Sequence, residues 1–146
     1  MGTPAEPKPA KYFIAFLVAD PSLLAGVEAE VVACLGTIDG KSAIAEWRAS
    51  NFYAAEMGAR LWRGFGSCQS LRGANELAAI KLQTQTIEEK YRDPCGAGRR
   101  VNLDPGYLDA LKVVLASTKN ASQRIYLSSG IYGEATLFYH HGDFHG

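Results

Sequence analysis

The order of segments in this chain predicts an α+β fold with a mainly antiparallel sheet. Three observations carry that expectation. Residues 12–19, YFIAFLVA, form a near-continuous apolar run of the kind a central buried strand shows. Three stretches repeat apolar residues at helical spacing, and several short alternating segments are separated by Gly, Ser, Asp and Pro turns.

Taken in order, Tyr12 to Ala19 read as the first and central strand. Asp20 and Pro21 then supply an N-cap and a first-turn proline, and Leu23, Leu24, Val27, Val31 and Leu35 follow a helical period up to Gly36. After the turn residues Asp39 and Gly40, Ala43 to Arg48 and Leu61 to Leu71 read as two strands of a hairpin. The loop between them, Ala49 to Arg60, contains Asn51, Tyr53, Glu56 and Gly58. Leu77, Ile80, Ile87 and Tyr91 mark one face of a second helix over about Ala74 to Arg92, ended by Asp93-Pro94-Cys95-Gly96. Arg100 to Asp104 is the next strand.

Strand, helix, strand, strand, helix, strand is the split βαβ order of ferredoxin-like domains. To that core the sequence adds a third helix: Asp104-Pro105 repeats the cap-plus-proline pair, and Tyr107, Leu108, Leu111, Val114, Leu115 and Thr118 follow helical spacing. A C-terminal hairpin closes the chain, with RIYL, the turn Ser128-Ser129-Gly130, and IYGEATLFY. Residues 1–10, with Pro4, Pro7 and Pro9, read as a disordered tail ahead of a single domain over 11–146.

Composition narrows the function classes. The 146 residues balance 15 basic against 15 acidic side chains, so no global field draws in bulk nucleic acid or an anionic membrane. The longest apolar run falls far short of the ~20 residues of a membrane span. Cys34, Cys68 and Cys95 form no C-x-x-C pair, which suits free thiols in a reducing cytoplasm.

Two motifs fail on spacing or context. Gly36-Thr37-Ile38-Asp39-Gly40-Lys41-Ser42 resembles a phosphate-binding loop but has three residues between its glycines where four are needed, and it leaves a helix instead of entering one. A helix C-cap followed by a turn explains it. His140, His141, Asp143 and His145 crowd the last seven residues, but nothing in the sequence fixes them as a coordination shell, and no metal site is expected.

The polar constellation lies elsewhere. On the predicted strand, Arg100, Asn102 and Asp104 share a face while Val101 and Leu103 turn to the core. If Ser128 to Gly130 is a three-residue loop, Leu127 pairs with Ile131, Tyr126 with Tyr132 and Arg124 with Glu134, both of the latter favourable cross-strand pairs. The start of the third helix after Asp104 would add free amides, and Lys112 and Lys119 on it positive charge. Arg100, Asn102, Asp104, Arg124, Tyr126, Tyr132 and Glu134 are thus the candidate ligand residues. The competing account makes Arg124 and Glu134 a surface ion pair and Asp104 only a cap.

At these residues the chain resembles a known family, domain of unknown function 4416. The likeness rests on KYFIAFLVADPSLL, FYAAEMG, ELAAIKLQTQTIEE and above all RRVNLDPGYLDALKVVLASTKNASQRIYLSSGIYGEATLFY. It implies a bacterial-type cytoplasmic protein with no established activity. Some members carry a GTP-binding label, to which the near-miss loop lends no physical support. The resemblance also implies a histidine where Gln123 stands, and an aromatic, proline-containing tail beyond Gly146.

Three functions follow as expectations: binding of a small anionic or nucleotide-like molecule on the polar sheet face, a homodimer that covers an open sheet face near Trp47, Trp62 and Phe65, or acid–base catalysis by Glu134 or Asp104. No cofactor is named by any motif.

Overall fold

The computed structural model describes residues 1–48, 54, 56–58, 60–95 and 98–146. Asn51, Tyr53 and Gly96, singled out above, lie outside them. The described elements are β1 (Lys11–Val18), α1 (Leu24–Leu35), β2 (Ile38–Lys41), β3 (Ala45–Arg48), β4 (Arg60–Cys68), α2 (Leu77–Lys90), β5 (Val101–Leu108), β6 (Lys112–Ser117), β7 (Arg124–Ser128), β8 (Ile131–His140) and β9 (Asp143–His145).

These strands form one antiparallel sheet in the order β2-β4-β1-β5-β6-β8-β7, with β3 also on β4 and β9 also on β8. β1 lies inside the sheet because its even positions, Tyr12, Ile14, Phe16 and Val18, are buried against both helices. Val27, Val31 and Leu35 of α1 and Leu77, Ile80 and Ile87 of α2 supply the other half of that core. Leu17, Met57 and Leu61 form a smaller cluster, with Trp47 packed against it.

Local chemistry sets the helix ends. Asp20 accepts a hydrogen bond from the Ser22 N–H at 2.9 Å and so caps the short 3-10 turn Pro21–Leu23 that leads into α1, and Gly36 closes α1 at φ 84°. Ahead of α2, the Glu76 carboxylate accepts from the Gly73 N–H at 3.0 Å.

Three expectations are corrected. The third helix does not form: its residues make a hairpin of β5 and β6, in which Tyr107 faces Val114 and Leu108 faces Val113. Asp104 is therefore no cap, Pro105 faces Ile14 within a strand, and the expected helix amides are not there. The spacing misled because apolar residues at 107, 108, 113 and 114 satisfy a strand pair as well, while Asp109 accepts from the Leu111 and Lys112 N–H groups and turns the chain. Asp39 and Gly40 belong to β2, where the register shifts beside them and Asp39 is tied to Lys11 and Ser67. Finally, the C-terminal turn has two residues, Ser129 and Gly130, both at positive φ (54° and 80°), as a type I′ turn requires. Ser128 pairs with Ile131 where Leu127 was expected. A register shift between Tyr126 and Ser128 restores the expected pairs Arg124 with Glu134 and Tyr126 with Tyr132.

Candidate functional site

A fork in the sheet creates the site. β5 and β6 pair only where Gly106, Tyr107 and Leu108 face Leu115, Val114 and Val113; below that they diverge, so among the described residues no strand lies beside that edge of β5 from Val101 to Pro105. Such an edge needs other partners for its peptide groups. At Leu103 they come from α2: the Glu88 carboxylate accepts from the N–H at 2.7 Å, and Lys81 Nζ donates to the C=O at 3.0 Å. Two positions on, Pro105 has no N–H to satisfy. Gly106 closes the fork because a Cβ there would lie 2.6 Å from the Val114 carbonyl oxygen. The opening is thus built into these residues.

The cleft at this fork has a volume of about 340 Å³. Asn102 and Asp104 face Leu17 and Ala15 across β1, on the sheet side away from the helices, whereas Val101 and Leu103 face Val18 and Phe16 in the main core. Lys81, Gln85 and Glu88 of α2 reach it from the helix side. Ser117, Thr118 and Lys119 at the end of β6, with Arg124 and Glu134 from the C-terminal hairpin, complete its walls.

A chain of polar contacts fixes the β5 wall. Arg99 binds both oxygens of Glu56 at 2.7 and 2.8 Å and donates to Asn102 Oδ1 at 3.0 Å. Asn102 Nδ2 donates to Asp104 Oδ2 at 3.0 Å, and Lys81 Nζ lies 3.2 Å from Asp104 Oδ1. The Arg99 guanidinium holds the Glu56 carboxyl below the usual carboxylate range. Burial pushes the Glu88 carboxyl up, against the opposing pull of the Leu103 N–H and of the Lys81 and Arg99 charges. On the far wall Arg124 Nε pairs with Glu134 at 3.2 Å and Nη1 donates to the Lys119 carbonyl at 3.0 Å.

Of the seven residues expected from the sequence, four line the cleft: Asn102, Asp104, Arg124 and Glu134. Arg100 does not. The strand begins one residue later, at Val101, and Arg100 contributes, after the Ser22 N–H, to holding the Asp20 carboxyl down. Tyr126 and Tyr132 pair edge-on at 5.3 Å toward the hairpin tip, where the Gly130 N–H donates to the Tyr126 hydroxyl, and neither lines the cleft. Lys112 binds Asp109 instead.

Lys81, Glu88, Gln85 and Arg99 escaped the sequence reading. The signal was present for the first two: Lys81, Thr84 and Glu88 fall at i, i+3 and i+7 alongside Leu77, Ile80 and Ile87, so polar groups interrupt a buried stripe. All three are nearly inaccessible, which for a lysine and a glutamate demands partners. Among the described residues no group of three or more His, Cys, Asp or Glu could hold a metal ion, and no helix is long and apolar enough to cross a membrane. His140 stacks on His145 with ring centroids 4.2 Å apart.

Comparison with known proteins is sparse. No curated protein and no solved structure matches the chain. A family model described as "Domain of unknown function (DUF4416)" matches residues 8–146, nearly the whole sequence, and the chain therefore belongs to the DUF4416 family.

Proposed function

We propose that the β5–β6 cleft binds a small anionic ligand of nucleotide size. The observation that carries this reading is the convergence of Lys81, Arg99, Lys119 and Arg124, from four separate segments, on one opening beside the β5 edge that no described strand covers. Carboxylates hold Lys81, Arg99 and Arg124 in place, and the volume falls within the ~300–1,000 Å³ of small-molecule sites. Asn102, Asp104 and Glu134 are the polar groups of the same walls, the two carboxylates holding Lys81 and Arg124 and not meeting the anion, while Arg100, Tyr126 and Tyr132 drop out of the set. A thermal-shift screen of nucleotides and anionic metabolites should find a stabilising ligand whose effect is lost in Arg124→Ala. Equal stabilisation of both proteins would reject this site.

An acid–base enzyme built on Asp104 or Glu134 is the variant of this reading in which the ligand is a substrate. Turnover unaffected by Glu134→Gln and Asp104→Asn would remove both from such a role.

One observation favours a second reading, a homodimer. Phe65, Phe13, Leu108, Val113 and Leu137 cross five adjacent strands on the side opposite the helices, each at least partly exposed. Light scattering that finds a monomer at every concentration would reject it.

Within the same reading, residues 11–146 act as one cytoplasmic domain whose β1-to-β5 portion is ferredoxin-like. The strand order β2-β4-β1-β5 with both helices on one side supports that assignment.

A further inference from the structure

Beside the cleft, on the sheet side away from the helices, lies a smaller hollow of about 170 Å³ lined by Ala15, Phe16, Leu17, Trp47, Arg63 and Asp104. Asp104 lines both spaces. Its carboxylate is fixed from both ends, Oδ1 by Lys81 and Oδ2 by Asn102, yet its side chain is 38% exposed. Each oxygen can accept a further hydrogen bond. A carboxylate on this dividing wall repels an anion and attracts a hydroxyl or N–H donor. The hollow beyond it has a different character: Ala15, Phe16 and Leu17 give it apolar lining, and the Trp47 indole stands beside them.

We infer that the cleft and the hollow are two halves of one bipartite site divided by Asp104. This rests on the cleft reading above and names the class of its ligand. The anionic group lies on the Lys119 and Arg124 side, a hydroxylated or amine-bearing linker donates to Asp104, and a flat ring lies against Trp47. That is the build of a nucleoside monophosphate or of a phosphorylated aromatic glycoside. Neither half alone selects it, since among the described residues the cleft has no aromatic lining and the hollow has Arg63 as its one cation.

Calorimetric titration of the full chain with adenosine 5′-monophosphate, ribose 5-phosphate and inorganic phosphate tests the division. Adenosine 5′-monophosphate should bind about tenfold more tightly than ribose 5-phosphate, the scale expected of one ring stacked on an aromatic side chain. Ribose 5-phosphate should in turn bind more tightly than phosphate. Trp47→Leu should erase the first difference and leave ribose 5-phosphate binding unchanged, while Trp47→Phe, which restores a flat ring and guards against a folding defect, should keep most of it. Equal affinity for all three probes, or a Trp47→Leu protein that retains the full preference for the nucleotide, would overturn the bipartite site and leave the anion cleft standing. Binding of none of the three would overturn both.

Discussion

The two walls of the cleft hold opposite charges in different surroundings. On the α2 side Lys81 and Glu88 are almost wholly buried and bind the backbone of one residue, the C=O and N–H of Leu103. On the hairpin side the Arg124 and Glu134 side chains are each about a quarter exposed and bind chiefly each other. The first pair replaces a missing strand, so its removal strands buried peptide groups. The second closes no backbone gap, and its groups can exchange partners at little cost. Rigidity on one wall and adaptability on the other suit a site whose base must persist while its rim meets a ligand.

The largest effect separating the walls should come from Lys81→Met. It leaves the buried Leu103 carbonyl without its donor, and the Asp104 carboxylate, partly exposed and still held by Asn102, without its cation, a loss of about 1–3 kcal/mol for a buried acceptor left unsatisfied. Urea unfolding should register it, and a loss below about 1 kcal/mol would mean that the buried wall is no more structural than the exposed one.

Glu88 sharpens the same contrast through pH. Its carboxyl is raised by burial, so the folded state binds its proton more tightly than the unfolded chain does. The cost of keeping it ionised is present in full above the raised folded value and fades as pH falls through that value toward the ordinary carboxylate range. Glu88→Gln retains an oxygen for the Leu103 N–H and removes the charge. Its melting temperature relative to the parent should therefore be highest near neutral pH and decline on acidification. A difference that grows on acidification would show that the cations on either side, not burial, dominate the site.

How much of this could be read from the residues differs along the chain. The apolar periodicity of α1 and α2, the near-continuous apolar run of β1 and the alternation of β8 were legible because burial imposes a simple pattern on each. The Arg124–Glu134 register was legible too, because it is a local pairing across a short turn. Asp104-Pro105 was misread: the same dipeptide starts a helix at residue 20 and occupies a strand at 104, and only the missing partner strand distinguishes them. The fork itself depends on where β6 leaves β5, a long-range event with no local signature. Lys81 and Glu88 carried a legible clue as polar residues within an apolar stripe, but their partner, the Leu103 peptide, becomes identifiable only once the edge is known to be unpaired.

Arg124→Ala probes the exposed wall and should cost about 1 kcal/mol or less, because the ion pair is partly solvated and the Lys119 carbonyl can turn to water. Adding 0.5 M salt should shrink the difference further, since screening weakens such a pair. A loss approaching that of Lys81→Met would erase the distinction between the walls and make the hairpin a structural brace of the cleft.

The smallest effect, and the one of opposite sign, concerns how the hairpin wall is held. Ser129 sits at φ 54° and Gly130 at φ 80°, the two left-handed positions of a type I′ turn. Glycine meets that demand without strain, whereas serine at the first position carries a Cβ that crowds its own backbone. Asparagine tolerates the left-handed region better and is the preferred first residue of this turn, so Ser129→Asn should stabilise the protein by a few tenths of a kcal/mol. Because the turn lies at the far end of the hairpin from Arg124 and Glu134, the gain should appear equally in the parent and in Arg124→Ala. Additive changes in chemical denaturation would show that turn and ion pair act independently. A gain that vanishes in the Arg124→Ala background would show instead that the turn stabilises the wall only by setting the Arg124–Glu134 register, so that the adaptable side of the cleft is governed from the hairpin tip.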